Sequence, residues 1–121
     1  MGAGLLIYAM FGQGLTRPSG TDANDFIAAF SNIGSDGTTV NLTCCGVGIL
    51  STVPGGYASM DGTSMATPAA TGVAARLLGA KPAILGMPRD QARSDAIVAL
   101  LLQAAKSLGF PASMEGKGLP R

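Results

Sequence analysis

A serine at the predicted start of a helix is the residue of this chain best suited to chemistry. Ser64 follows the turn residues Asp61 and Gly62, and a helix beginning at 63 or 64 is predicted to run to 78 and stop at Gly79. The first N–H groups of a helix lack partners within it, and the helix dipole is positive there. Such a place favours the oxyanion that develops during acyl transfer to a serine hydroxyl. The alternative is that Thr63 or Ser64 simply caps the helix.

Few groups in this chain are able to activate a hydroxyl. Its 121 residues include no histidine, which removes the commonest general base near neutral pH and the commonest zinc ligand. A serine–lysine dyad would need Lys81, Lys106 or Lys117, but all three lie in segments that we expect to be solvated. No cluster of carboxylates has the spacing of a calcium site. We therefore expect no metal and no cofactor.

Size and charge argue against several other classes of protein. A chain of 121 residues, 47% of them hydrophobic, is predicted to form a single domain over residues 1–121. The net charge of +1 and the lack of a basic cluster make nucleic acid an unexpected partner.

The apolar start, Met1 to Leu15, has no basic residue ahead of Arg17 and is broken by Gly12 and Gly14. It fits neither a signal peptide nor a membrane span, and the sequence indicates no compartment.

The two cysteines of the chain are consecutive. Cys44 and Cys45 therefore suit neither a CxxC metal clip nor a disulfide framework. We interpret them as small, reduced, apolar residues of the core rather than as a redox pair.

Short apolar runs precede the predicted helices along the chain. The run from Leu5 to Phe11 has the continuous apolar pattern of a strand buried on both faces. A second helix is predicted with Ser94 as its N-cap and an apolar face from Ile97 to Leu108, and residues 81–90 are predicted to form a surface connection. The order predicts an α/β fold with a mainly parallel sheet and flanking helices, with too few strands for a complete sheet. The other predicted strands are Phe26–Ser31, Thr39–Thr43 and Gly48–Val53.

The segment around Ser64 resembles the serine signature of a known protease family. Gly62-Thr63-Ser64-Met65-Ala66-Thr67-Pro68 is similar to the nucleophile motif of the subtilisin-like serine proteases, the subtilases of the peptidase S8 family. The resemblance covers most of Asp22 to Leu119 and implies a partial subtilisin-like three-layer α/β fold, the carboxyl-terminal half of the catalytic domain. Its further matching segments are Phe30 to Gly34, Gly46 to Thr52, Pro54 to Tyr57 and Gly116 to Leu119.

This resemblance implies roles for individual residues. Ser64 matches the catalytic nucleophile, with its own backbone N–H in the oxyanion hole. Gln13 occupies the place of the family's asparagine, whose amide is the other oxyanion donor. Glutamine carries the same amide on a side chain one methylene longer, so it would reach the oxyanion only from a retracted loop. The signature residues that support the match are Gly62, Thr63, Met65, Ala66 and Pro68.

The departures from the family pattern are equally informative. The family's Asp-Thr-Gly and His-Gly-Thr-His segments, which carry the catalytic aspartate and histidine, have no counterpart in the sequence, and Asp36-Gly37-Thr38 is better interpreted as a turn. A serine without its base is a weak nucleophile, so we expect the chain alone to be nearly inactive. Two functions remain open. One is a serine endopeptidase that hydrolyses polypeptides when a second chain supplies the Asp and His segments, and the other is a non-catalytic pseudoprotease that acts as a protein-interaction module.

Overall fold

The computed structural model describes residues 7–10, 26–34 and 39–121, with the backbone alone for residues 7–10. Four strands come first along these ranges, and the helices and two short strands follow. None of the helices found there is long and apolar enough to cross a membrane. The elements in chain order are β1 Ile7–Met10, β2 Leu42–Cys45, β3 Ile49–Val53, β4 Gly56–Met60, α1 Thr63–Gly79, α2 Pro82–Leu85, α3 Gln91–Ala104, β5 Ala105–Lys106, α4 Ala112–Glu115 and β6 Leu119–Pro120.

The strands form three two-stranded sheets. β1 and β2 are parallel, with Ile7 opposite Leu42 and Met10 opposite Cys45. β3 and β4 form an antiparallel hairpin, and β5 pairs with β6 in the same antiparallel sense. The predicted α/β class is confirmed, and the parallel pairing expected of the main sheet is present in β1–β2. The antiparallel pairs contain β3, which was predicted at Gly48–Val53, and three strands that were not predicted, β4, β5 and β6.

Helix α1 covers the parallel pair and forms the centre of the core. It packs against β1, β2 and α3. Its buried residues are Ala66 and Ala70, and these small side chains let the helix axis approach the sheet closely. Across the interface they meet Leu42 and Cys44 of β2 and Leu101 of α3. The nucleophile segment predicted from the sequence therefore begins the helix on which the core is built.

Two of the predicted strands differ from the structure. The prediction of a strand over Phe26–Ser31 is wrong, because the chain turns there and Ser31 N–H donates to the Ala28 carbonyl at 2.9 Å. Burial in this segment does not alternate, since Ile27 and Ala28 are both buried while Phe30 is exposed. The strand predicted over Thr39–Thr43 exists but lies further along the chain, so that both cysteines belong to β2. The turn predicted at Asp36-Gly37-Thr38 lies outside the described residues.

The helices were predicted with unequal success. The first is confirmed almost to its ends, at Thr63–Gly79. The prediction of Ser94 as an N-cap is wrong: Asp90 caps α3, its Oδ1 accepting from Arg93 N–H at 3.0 Å, and Ser94 lies in the first turn. α3 also ends at Ala104, because the chain becomes extended and enters β5. The connection predicted over 81–90 contains the short helix α2, and neither β4 nor α4 was predicted.

The carboxyl-terminal residues close the fold around β2. Lys117 N–H donates to the Asn41 carbonyl at 2.9 Å, and Thr43 N–H donates to the Gly118 carbonyl at 3.0 Å. Gly118 has φ +98°, and a Cβ there would overlap the backbone carbonyl of Lys106. Only glycine satisfies both the dihedral angle and this close approach.

Replacing Gly118 should therefore be costly. We expect Gly118→Ala to lower the free energy of unfolding by about 3 kcal/mol, through the positive φ and the overlap with Lys106. Gly72→Ala is the matched control: Gly72 is exposed within α1 with nothing within 4 Å of an added Cβ, so alanine should raise stability by about 0.5–1 kcal/mol. Urea denaturation followed by circular dichroism measures the free energy of unfolding of both variants. A loss below about 1 kcal/mol for Gly118→Ala would contradict the close approach of residue 118 to the Lys106 carbonyl.

Candidate active site

A backbone hydrogen bond holds the start of α1 against the end of β2. Gly62 N–H donates to the Gly46 carbonyl at 2.7 Å, and Gly46 directly follows the last residue of β2. Because β1 and β2 are parallel, their carboxyl ends meet at the same edge of the sheet. Open α/β sheets place their binding sites at this edge. Ser64 is the second residue of the helix that begins there.

The first turn of α1 is left without side-chain capping. The N-cap is Gly62, and no side chain makes a capping hydrogen bond, so the interpretation of Thr63 or Ser64 as a mere cap is wrong. The helical bonds begin with Met65 N–H and Ala66 N–H, which donate to the Gly62 carbonyl at 3.0 and 3.2 Å. Within the described ranges the N–H groups of Thr63 and Ser64 make no hydrogen bond. These free donors, at the positive end of the helix, are available to an anion.

The hydroxyls that follow Ser64 are occupied within the helix. Thr67 Oγ1 donates to the Thr63 carbonyl at 3.0 Å, and Thr71 Oγ1 donates to the Thr67 carbonyl at 2.9 Å. Pro68 lacks the N–H that would bond to the Ser64 carbonyl. Ser64 itself is exposed, and its hydroxyl makes no hydrogen bond to any residue that the structure describes. Among the hydroxyls of Ser64, Thr67 and Thr71, that of Ser64 remains free to react.

One residue of the site was missed by the sequence analysis. Asp61 Oδ1 accepts from Gly48 N–H at 2.7 Å, so the residue before the N-cap is tied to the turn that follows β2. A signal was present in the sequence, because Asp61 is the only charged residue from Gly37 to Ala75. A lone charge in an apolar, glycine-rich segment indicates a specific hydrogen-bonding role.

The other candidate residues are not brought to Ser64. Lys81 follows the far end of α1, about 25 Å along the helix axis from its start. Lys117 lies beside Asn41, ahead of β2, whereas Ser64 lies beyond its end. Lys106 is placed opposite Leu119 in the β5–β6 pair. The geometry thus gives no support to a serine–lysine dyad, and Gln13 lies outside the described residues.

Ser64 is exposed and lines neither the cavity at the amino end of α3 nor the cavity beside residues 39–41. Among the described residues, the cavity at the amino end of α3 has a volume of about 540 Å³, and the one between α3, α4 and residues 39–41 has a volume of about 260 Å³. In the same part of the chain, no three His, Cys, Asp or Glu residues lie close enough to hold a metal ion. The arrangement offers an exposed serine hydroxyl beside backbone N–H groups that make no hydrogen bond within the described residues.

Comparison with known proteins gives consistent results. The model of the subtilase family, peptidase S8, matches residues 19–118. The chain is 54% identical to an alkaline elastase of Bacillus sp. strain YaB over 56 residues, which is 46% of the chain and 14% of that protein. It is 41% identical to an intracellular serine protease of Paenibacillus polymyxa over 91 residues, 74% of the chain and 26% of that protein.

A solved structure is similar over almost the whole chain. The prenylagaramide maturation protease PagA matches with a TM-score of 0.65 and 28% sequence identity. The match covers 97% of this chain but only 39% of PagA. The chain therefore spans about two fifths of this structure and at most about a quarter of the two curated relatives above.

The strand that leads into the site carries two reduced cysteines in different surroundings. Cys44 is 4% exposed and packs in the core with Leu42 and Ala66. Burial raises the pKa of the Cys44 thiol above its ordinary value, because the thiolate would lose its hydration. Cys45 is only partly buried and immediately precedes Gly46.

We expect alkylation to distinguish the two cysteines. The thiolate is the reacting species, and a raised pKa lowers its fraction at every pH below that pKa, so Cys44 should react more slowly with iodoacetamide than Cys45. Because the thiolate fraction increases with pH, modification of Cys44 should become faster as the pH rises. Peptide mass spectrometry of the folded chain measures both rates, and the urea-unfolded chain, in which the rates should converge, is the control. Faster modification of Cys44 than of Cys45 in the folded chain would contradict the burial of Cys44.

Proposed function

Because the chain belongs to the subtilase family, we infer that it is the carboxyl-terminal part of a serine endopeptidase catalytic domain with Ser64 as its nucleophile. One observation carries this proposal: the Ser64 hydroxyl is exposed beside the free N–H groups at the start of α1. The curated relatives and PagA, which are named as proteases or an elastase, support polypeptides as the substrate class.

The proposed reaction is acyl transfer through Ser64. Its Oγ attacks the carbonyl carbon of a peptide bond while a base removes the hydroxyl proton, and the carbonyl electrons move to the oxygen. The Ser64 N–H, which is free among the described residues, would donate to that oxyanion. The C–N bond then breaks, the amine leaves with the proton, and water releases the acyl group from Ser64.

Gln13 is the proposed second oxyanion donor. It follows β1 by three residues in the sequence, and β1 ends at Met10 beside Cys45, at the edge of the sheet where α1 begins. Its amide N–H would replace the family's asparagine donor. One such donor contributes about 3–4 kcal/mol of transition-state stabilisation in related chemistry.

The base and its aspartate would come from a second polypeptide segment. The sequence contains no histidine, and loss of the base lowers the turnover of such enzymes by about a millionfold. Ser64 lies on the exposed surface of the chain, where a second segment would contact it. The alternative is a pseudoprotease that uses the same surface only to bind protein, and exposed Leu50 and Tyr57 on the β3–β4 hairpin favour such contacts.

Covalent labelling of Ser64 tests the proposed nucleophile. We expect a fluorophosphonate probe to label the chain very slowly alone and much faster after mixing with a polypeptide that carries the Asp and His segments of a subtilase. Ser64→Ala should abolish the labelling, whereas Ser94→Ala, an exposed serine of α3, should leave it unchanged. Rapid labelling of the chain alone would contradict the need for a second segment. No labelling in any mixture would favour the pseudoprotease.

Substitution of Gln13 tests the second oxyanion donor. In a mixture that labels Ser64, Gln13→Ala should lower turnover of a peptide substrate by about 10²–10³-fold, because one hydrogen bond to the oxyanion is lost. Gln91→Ala is the matched control, since Gln91 donates only to Asp95 on the exposed face of α3. Equal turnover of the Gln13→Ala and unmodified chains would exclude Gln13 from the oxyanion hole.

A further inference from the structure

Asp61 makes a hydrogen bond next to the turn that carries Ser64. It is the only charged side chain from residue 39 to residue 75, and it immediately precedes the N-cap of α1. Its carboxylate Oδ1 accepts from Gly48 N–H at 2.7 Å, thirteen residues away along the chain. A charge-assisted hydrogen bond of this kind is stronger than one between neutral groups.

The Asp61 bond continues the β3–β4 ladder in a modified form. The last regular pair of the hairpin is Ile49 opposite Met60, so Gly48 and Asp61 would be the next pair outward. Here the donor Gly48 N–H is met by the side chain of Asp61 rather than by its backbone carbonyl. The backbone of Asp61 therefore lies outside the β3–β4 ladder and leads into α1.

Two hydrogen bonds close this hairpin at its base, and they run in opposite directions. Gly48 N–H donates to Asp61, and Gly62 N–H donates to the Gly46 carbonyl, each at 2.7 Å. The Gly62 carbonyl in turn accepts from Met65 and Ala66, which are the first bonds of α1. The Asp61 carboxylate is thus linked to the first turn of α1 through Gly62.

We propose that Asp61 is a positioning residue of the Ser64 site, whose carboxylate oxygen holds the base of the hairpin closed and thereby fixes the N–H groups at the start of α1. It acts through Gly48 and Gly62 and does not touch the substrate. That Asp61 matters for catalysis rests on the proposed function. That it holds the hydrogen bonds of Gly48 and Gly62 together does not.

Residue-resolved amide hydrogen exchange of the full chain tests the proposal without any catalysis. In Asp61→Ala the exchange of Gly48, Gly62 and Met65 should rise about tenfold, because the bonds form and break together. Asp61→Asn keeps an oxygen in the same place, and exchange at the three amides should stay within about threefold of the unmodified chain. Asp90→Ala is the matched control, since Asp90 also accepts a backbone N–H, that of Arg93, but at the start of α3.

Each result decides the proposal. The proposal is overturned if exchange in Asp61→Ala rises at Gly48 alone. It is also overturned if exchange rises equally in Asp61→Asn or in Asp90→Ala. Rapid exchange of the Gly48 amide in the unmodified chain would overturn it as well. If Asp61→Ala does not fold, Asp61→Glu replaces it. That variant keeps the charge but moves the oxygen by one methylene, so the proposal requires it to raise exchange where Asp61→Asn does not. Failure of fluorophosphonate labelling leaves these outcomes unaffected, which separates this test from that of the proposed function.

Discussion

The hydrogen bond from Gly62 N–H to the Gly46 carbonyl is the contact on which the geometry of the site depends. It brings together two residues separated by a hairpin, one directly after β2 and one directly before α1. A hydrogen bond contributes only about 1 kcal/mol net to stability. Its importance is positional, because it places a helix start, with free N–H groups, at the carboxyl edge of a parallel strand pair.

The bond between Gly62 and Gly46 positions the start of α1 only because β2 is itself held in place. Leu42 and Thr43 are fully buried, α1 packs over the strand, and residues 117 and 118 hydrogen-bond to its amino-terminal side. The carboxyl-terminal turn is held in addition by the buried Glu115. Its two carboxylate oxygens accept from the Ser107 hydroxyl at 2.5 Å and from Leu108 N–H at 2.8 Å. Because both of its oxygens are hydrogen-bonded, the buried carboxylate ties Ser107 and Leu108 to α4.

The sequence predicted those parts of the molecule whose signals are local. α1 was predicted because small apolar residues and a terminal glycine mark it without reference to the rest of the chain, and Ser64 was located by a motif. The start of α3 was misplaced because Ser94 and Asp90 are both acceptable caps, and only the folded backbone selects Asp90. The Phe26–Ser31 segment is apolar enough for a strand, but in the structure it lies where the chain turns. The bond between Asp61 and Gly48 could not be predicted, because it depends on how the hairpin closes.

In the proposed function, the energetic balance of the site explains why Ser64 would need a base from a second segment. Each donor of an oxyanion hole stabilises the transition state by about 3–4 kcal/mol, because negative charge develops on the carbonyl oxygen during the attack. Removing the base lowers turnover about a millionfold, which corresponds to about 8 kcal/mol at 1.36 kcal/mol per factor of ten. Two donors together therefore roughly match the contribution of the base, but they cannot replace it, because they do not remove the proton from Ser64. In the proposed function the chain therefore supplies oxyanion donors but, because it has no histidine, it does not supply the group that accepts the Ser64 proton.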